Sequence, residues 1–386
     1  MTLTVLINAG PWLPVPPQGY GGIETVVATL VPELRALGVR VVLATVGPST
    51  IKADDYLRPL SEPRFDQVAR PYNQVSGITH AHMHDVVAFL RAHPEIDLVH
   101  DHLEVVGPAV LGAMGTAAPP TLQTLHWDLT KHADFYSRFD GGGRVAFAAV
   151  SQSQLERAPQ MLQDQTIGVV PLAVPPPLTL PPSALPRGRA EHALVLARIT
   201  RDKGQDIAAR VCRQAGVPLV LAGPVAGVGD PTELRRRLDQ GDVALEGHPD
   251  VRYFIDDVLP QLDGERVRWV GGVAGEEKER LLQSSRVLLA TNRWAEPGAT
   301  GVVEALGRGV PVVATPLGVL PSLIDHGVTG LLGETEEELA LLMGDVDRID
   351  PEACRAAVAG WTPRVMAQRY LDLYRELLSR QSQVGR

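Results

Sequence analysis

The feature that most limits how this chain can fold is a proline-rich break set between two stretches of alternating strand-like and helix-like runs. Residues 171–187 hold seven prolines in seventeen positions. Proline fixes φ and lacks the N–H that a sheet ladder needs, so such a stretch stays out of sheet interiors and acts as a stiff connector. Before the break, strand patterns lie at 3–7, 40–46, 97–100, 121–126 and 145–150, and an amphipathic helix pattern covers 23–37 and ends at Gly38. After it the alternation restarts, with strands at 192–197, 218–222, 286–290 and 310–314 and helices at 205–215 and 275–285. Strands that alternate with helices predict α/β architecture, in which parallel sheets are covered by helices. The boundaries expected are a first domain at 1–175, a linker at 176–188, a second domain at 189–361 and a C-terminal segment at 362–386. In that last segment a helix pattern over 362–379 sets Met366, Tyr370, Leu373, Tyr374 and Leu377 on one side.

Size and charge narrow the function classes. A chain of 386 residues, 45% of them apolar, has material for two ordinary domains with cores of their own. Its net charge of −9 argues against a nucleic-acid partner, whose binding would rest on Lys and Arg meeting phosphates. The two cysteines, Cys212 and Cys354, form no metal or redox motif, which fits a reduced, cytoplasmic setting. The apolar start at 1–9 lacks a positively charged lead and is followed by Pro11, so it reads as a first strand and not a signal peptide. No apolar run approaches the roughly 20 residues of a spanning helix. Membrane contact is expected to be peripheral at most.

The segment 292–306, Asn-Arg-Trp-Ala-Glu-Pro-Gly-Ala-Thr-Gly-Val-Val-Glu-Ala-Leu, carries the most chemistry. It sets two carboxylates eight positions apart: Glu296 in a Pro/Gly turn after a buried strand, and Glu304 about one turn into the following helix. A helix start offers unpaired N–H groups and the positive end of a dipole, which suits phosphate. A carboxylate just upstream can hold sugar hydroxyls, and one just downstream can take a ribose diol. The pattern predicts a site for a nucleotide-activated sugar.

With these residues in view, the chain resembles the retaining glycosyltransferases of family 4. The resemblance runs over nearly the whole length. It is carried by Tyr20-Gly21-Gly22-Ile23-Glu24, Thr124-Leu125-His126, Ala149-Val150-Ser151-Gln152 through Gln154, Ala197-Arg198-Ile199 with Lys203-Gly204, the Glu296/Glu304 pair, Val310-Pro311-Val312-Val313-Ala314 and Gly327-Val328-Thr329-Gly330-Leu331. It implies the GT-B fold, two Rossmann-like domains facing across a cleft, with the C-terminal helix crossing back to the first. It implies hexosyl transfer from a UDP- or GDP-linked sugar to a hydroxyl of a sugar, lipid or small-molecule acceptor, with the anomeric configuration retained.

Roles follow from the same resemblance. Gly21 and Gly22 face the donor diphosphate, and glycine allows the backbone to come close. Arg198 and Lys203 offset the diphosphate charge, the main electrostatic task in breaking the sugar–phosphate bond. Glu304 accepts from the ribose hydroxyls and Glu296 from a sugar hydroxyl, while the N–H groups of Gly298, Ala299 and Thr300 meet phosphate or sugar. His126, at the end of a strand, lies near the reacting carbon through its ring or its carbonyl. Glu24, Trp127 and Asp128 are acceptor-side candidates. Front-side attack needs no enzyme nucleophile, and the two cations with the helix ends stand in for a metal, so neither metal nor cofactor is expected. Relatives commonly read Glu-Pro-Phe-Gly-Leu where this chain has Glu296-Pro297-Gly298-Ala299-Thr300, which bears on the sugar preference. Departures also occur at Val319 and Ser322, where relatives often carry Gly and Glu, and near 169–174, which lacks a frequent Asn-Gly pair.

Alternatives stay open at this point. One is a nucleotide-sugar epimerase or hydrolase of the same fold, and another is a sensor that binds the donor without turnover. The histidine run at 79–85, with His100 and His102, could suggest zinc. It reads better as the start of a helix carrying Val86, Val87, Phe89 and Leu90. A dinucleotide site lacks its G-x-G-x-x-G signature after the first strand.

Overall fold

The computed structural model describes residues 2–17, 19, 21–68, 70–181 and 191–384. They form two compact units: Met1–Ala173 with Trp361–Arg386, and Val174–Gly360. Tyr20 and residues 182–190, which include the end of the proline-rich stretch, lie outside the described residues.

The first unit is built on a seven-stranded parallel sheet. Its strands are β1 (Thr4–Asn8), β2 (Arg40–Ala44), β3 (Asp55–Leu57), β4 (Leu98–Asp101), β5 (Thr121–Leu125), β6 (Val145–Ala149) and β7 (Thr166–Val169). They lie in the order β3-β2-β1-β4-β5-β6-β7. Val5 pairs with Val41 on one side and Leu98 on the other. Because side chains alternate across a strand, β1 feeds two cores. Val5 and Ile7 pack with Val27, Leu30 and Leu34 of the helix Gly22–Ala36, and with Met366, Tyr370, Tyr374 and Leu377. Leu6 packs on the opposite face with Met83, Val86, Leu90 and Leu111. The apolar side of the C-terminal helix Pro363–Val384 is therefore buried within the first unit. That helix runs beyond the 362–379 expected.

The second unit carries a six-stranded parallel sheet of β8 (Ala193–Leu196), β9 (Leu219–Ala222), β10 (Val267–Trp269), β11 (Val287–Ala290), β12 (Val312–Ala314) and β13 (Gly330–Leu332). Its order is β10-β9-β8-β11-β12-β13. Numbered within each unit, both sheets run 3-2-1-4-5-6, with β7 as an added edge strand in the first. This is the doubly wound order, and its ligands gather at the carboxyl ends of the strands where the order reverses. The reversal falls between β1 and β4 in one unit and between β8 and β11 in the other.

The division between units falls before residue 176. Pro175 O accepts from Arg308 Nη1 at 2.9 Å, and Leu178 O from Gln283 Nε2 at 3.4 Å. Gly307 packs directly over Val174, where a Cβ would come within 2.4 Å of Cγ1. The start of the expected linker is thus bonded into the second unit. The histidine run lies inside the helix Tyr72–Ala92 and does not begin it. His82 in that helix is fully buried against Asn8.

Candidate functional site

In the second unit the loops after β8 and β11 flank the reversal point, and they are fastened to each other. Gly204, at φ +67°, lies so close to Thr291 that a Cβ there would fall 2.1 Å from its carbonyl oxygen. Thr291 Oγ1 donates to Gly204 O at 2.8 Å, and Arg293 N donates to Asp202 O at 2.8 Å. The Arg293 guanidinium grips buried Asp206 with two bonds of 2.7 and 2.6 Å, and Tyr253 OH donates to the same carboxylate at 2.5 Å. Burial alone would raise Asp206, but these donors outweigh it and hold the carboxyl well below the usual range. Bidentate Arg–carboxylate pairs fix geometry as well as charge, so the two loops form one stiff block.

Glu296 sits in that block, 7% exposed. Its Oε2 accepts from Asn292 Nδ2 at 2.7 Å, from Trp294 Nε1 at 3.0 Å and from the Lys203 ammonium. Lys203 Nζ also lies 5.2 Å from the centre of the Trp294 ring. The main chain of Glu296 is clamped from behind by Gly318, whose φ is +65°, and its carbonyl accepts from Val319 N at 2.8 Å. A Cβ at Gly318 would stand 2.2 Å from Glu296 N.

The helix Thr300–Gly307 follows, with no side-chain cap. Ala299, at φ +50°, turns the chain into it, and Gly301 lets its first turn approach Leu196 O at the end of β8. The uncapped first-turn N–H groups therefore stand beside the reversal point. Glu304 is buried among Val302, Val303, Ala305 and Leu306 and is bonded to Lys278 Nζ at 2.9 Å. Lys278 comes from the helix Gly275–Ser284. Arg198 lies two residues after β8, and its carbonyl accepts from Gln205 Nε2 at 2.7 Å. The structure thus joins Lys203 to Glu296 and adds Lys278, Asn292 and Trp294, to none of which the sequence assigned a role.

In the first unit, Gly21 and Gly22 begin the helix after β1. A Cβ at Gly21 would meet Pro17 at 2.5 Å and the Glu24 carboxylate at 3.1 Å. Burial pushes Glu24 up to about 7. His126 follows β5, and its Nε2 shares a 2.8 Å hydrogen bond with His102 Nδ1. Glu104, after β4, accepts from Trp127 N at 2.7 Å and from His126 N, so one carboxylate sets the turn that carries both side chains. Burial pushes Glu104 up to about 7, against the lowering effect of those two bonds, and depresses His126 to about 3. Trp127 is 37% exposed and stacks on His132 at 5.5 Å. Asp128 caps the short turn Leu129–His132 and pairs with Arg157 at 3.3 Å. Gln154 ties the ends of β5 and β6 together by donating to Leu125 O and Trp127 O and accepting from Val150 N.

Deeper in this unit, His100 bonds Thr124 Oγ1 at 2.7 Å and Tyr374 OH at 2.6 Å, and Thr124 donates to Tyr370 OH at 3.1 Å. His100 is thus held by the C-terminal helix. Among the described residues, no group of three or more His, Cys, Asp or Glu is arranged to hold a metal, and no helix is long and apolar enough to cross a membrane.

Comparison with known proteins bears on the family and the fold. The family model for "Glycosyltransferase Family 4" matches residues 20–176, and that for "Glycosyl transferases group 1" matches residues 181–346. An uncharacterized 41.2 kDa protein from the cps region of Klebsiella pneumoniae is 35% identical over 83 residues, 22% of this chain. An uncharacterized glycosyltransferase of Methanocaldococcus jannaschii is 29% identical over 108 residues, 28% of this chain. The matched stretches span about a quarter of these curated relatives, 23% and 27%. Among solved structures, AviGT4, a glycosyltransferase involved in avilamycin A biosynthesis, is 25% identical with a TM-score of 0.60 over 98% of both chains. Sucrose-phosphate synthase of Thermosynechococcus elongatus has a TM-score of 0.69 at 18% identity, covering 98% of this chain and 100% of its own. Anabaena HepE, in complex with UDP and glucose, has a TM-score of 0.66 at 16% identity over 97% and 100%. These two likenesses bear on the fold, which is GT-B with two Rossmann-like domains.

Proposed function

The chain belongs to the glycosyltransferases of family 4, and from that premise we propose that it moves a sugar from a UDP- or GDP-linked donor to an acceptor hydroxyl with retention. The observation that carries this reading is the convergence of Lys203, Asn292 and Trp294 on Glu296 Oε2, directly before an uncapped helix that holds Glu304 one turn in. A nucleoside diphosphate sugar presents a diol, a charged diphosphate and a second set of hydroxyls in the same linear order. Glu304 takes the ribose diol. The backbone N–H groups of Gly298, Ala299 and Thr300, leading into the helix, with Lys203 and Arg198, take the diphosphate, which carries about two negative charges. Glu296 takes the sugar. UDP is the first donor nucleotide to test, because HepE has been solved with UDP and glucose.

The reaction read from these residues is front-side attack. The bond between the anomeric carbon and the diphosphate oxygen breaks as the acceptor oxygen bonds to the same face of that carbon. The acceptor's proton passes to the departing diphosphate. Fixed cations and helix N–H groups stabilise the charge that grows on the leaving group, and positioning supplies the rest. Because protein cations fill that role, the rate is expected to be unchanged by EDTA. Glu24, Trp127 and Asp128 are assigned to a sugar, lipid or small-molecule acceptor, with an exposed indole suited to the face of a sugar ring.

The test is incubation with UDP- and GDP-sugars and a panel of hydroxyl acceptors, with the product anomer read by NMR. Transfer with retained configuration supports the reading. An inverted product overturns front-side attack, hydrolysis alone supports the hydrolase alternative, and tight donor binding without turnover supports a sensor.

A further inference from the structure

The geometry points to His102 as the residue that fixes the tautomer of His126, so that His126 offers substrate a donor at Nδ1 and not an acceptor. The proposal rests on the reading of His126 as a substrate-facing residue. It starts from the 2.8 Å bond between His102 Nδ1 and His126 Nε2. Burial lowers both rings, His126 to about 3 and His102 well below its ordinary value, so both are neutral at working pH and one proton lies between the two nitrogens. A neutral imidazole has one N–H and one bare nitrogen, and the bond made by one nitrogen decides the state of the other.

The far side of His102 resolves the choice. Its Nε2 is fully buried and has no hydrogen-bond partner among the described residues. If His126 donated, His102 would carry its proton on Nε2 and bury an orphaned N–H. If His102 donates, its Nε2 is a bare acceptor. Orphaned buried donors are the rarer and more costly defect, so His102 donates. His126 Nε2 then accepts, and its proton sits on Nδ1. That nitrogen bonds no described residue, and the side chain is half-buried, so the N–H is available to an oxygen of donor or acceptor. His126 in this state cannot act as a base through Nδ1, which agrees with transfer of the acceptor's proton to the leaving group.

His102 is thereby a positioning residue. Its ring lies tilted against His100, with centroids 4.2 Å apart, and is joined edge to edge to His126, and His100 is in turn bonded to Tyr374, so the pair cannot easily rotate. The test is two-dimensional NMR of ring-15N-labelled protein, with the His126 signal assigned by its loss in His126→Gln. The expected result is a protonated Nδ1 and a bare Nε2 in the wild type. In His102→Phe, His126 shifts toward the Nε2–H form and kcat falls about 10- to 100-fold with the donor KM little changed. His102→Asn keeps an N–H near the position of Nδ1 and restores both signal and rate. A wild-type His126 protonated on Nε2 overturns the proposal, as does a normal rate in a folded His102→Phe whose His126 has changed tautomer. The NMR result stands apart from turnover, so a protein that transfers no sugar would sink the proposed reaction and leave the tautomer decided on its own evidence.

Discussion

Lys203 and Glu296 are bonded to each other, and this pair stands where two separate ligand contacts were expected. The ammonium assigned to the diphosphate and the carboxylate assigned to the sugar satisfy one another without ligand. Neither is then an unpaired buried charge, a state that costs far more than a hydrogen bond. Asn292 and Trp294 keep Glu296 Oε2 bonded when Lys203 turns to phosphate. Lys203→Met is expected to lower kcat by about 10²- to 10³-fold, the size of loss seen when one fixed electrostatic donor is removed. Initial rates at saturating donor and acceptor measure it. A rate within about twofold of wild type would remove Lys203 from the leaving-group site.

Ala299 and Gly318 flank the Glu296 turn with positive φ, and only one of the two is glycine. At Gly318, φ is +65° and a Cβ would run into the Glu296 main chain, so Gly318→Ala is expected to cost at least about 2 kcal/mol and to displace the carboxylate. At Ala299 the residue already pays for a left-handed conformation, and Ala299→Gly is expected to gain up to about 1 kcal/mol with donor binding kept. Denaturant unfolding of both variants checks the pair of signs. Equal effects would show that backbone strain is not what separates them.

Glu104 supplies a pH test with a definite sign. Its folded carboxyl titrates at about 7, above the 4.5 of an unperturbed glutamate, mainly because it is buried. A raised folded value gives a stabilising contribution that is complete below pH 4.5 and is lost as pH rises through 7. Glutamine at this position can still accept from the N–H groups of His126 and Trp127 but does not ionise. Wild type should therefore lose stability relative to Glu104→Gln between pH 5 and pH 8. Parallel melting midpoints across that range would contradict the assignment.

The fold was largely legible because strand and helix patterns alternate on both sides of the proline-rich stretch. The helix Gln205–Ala215 matches the sequence expectation end to end, since left-handed Gly204 and Gly216 flank it. Strands β3, β7, β10 and β13 were not identified as strands. β3, β10 and β13 are three residues each, too short to show a period, and the edge strands β3, β7 and β10 are only partly buried, so their apolar signal is weak. The helix Tyr72–Ala92 was placed too late because its first turns carry Asn73, Gln74, Ser76 and Gly77 and lack an apolar stripe. At the site, Glu296 and Glu304 were visible as a local motif. Lys278 was not, because it reaches Glu304 from another helix and no spacing encodes that contact. Glu104 and His102 stayed hidden for a similar reason. They meet His126 only because β4 and β5 are neighbours in the sheet, and in the sequence His102 looked like part of a metal cluster.

The measurement that bears most directly on the central claim is a thermal-shift titration of the whole chain with UDP-, GDP-, ADP- and TDP-sugars, run beside Glu304→Ala. Ligand that binds only the folded state raises the midpoint, by about 2.7 kcal/mol of added stability at 100 times Kd. The site described here predicts a rise with UDP- or GDP-sugars that the Glu304→Ala variant loses. No rise with any of the four, or an equal rise in the variant, would contradict it.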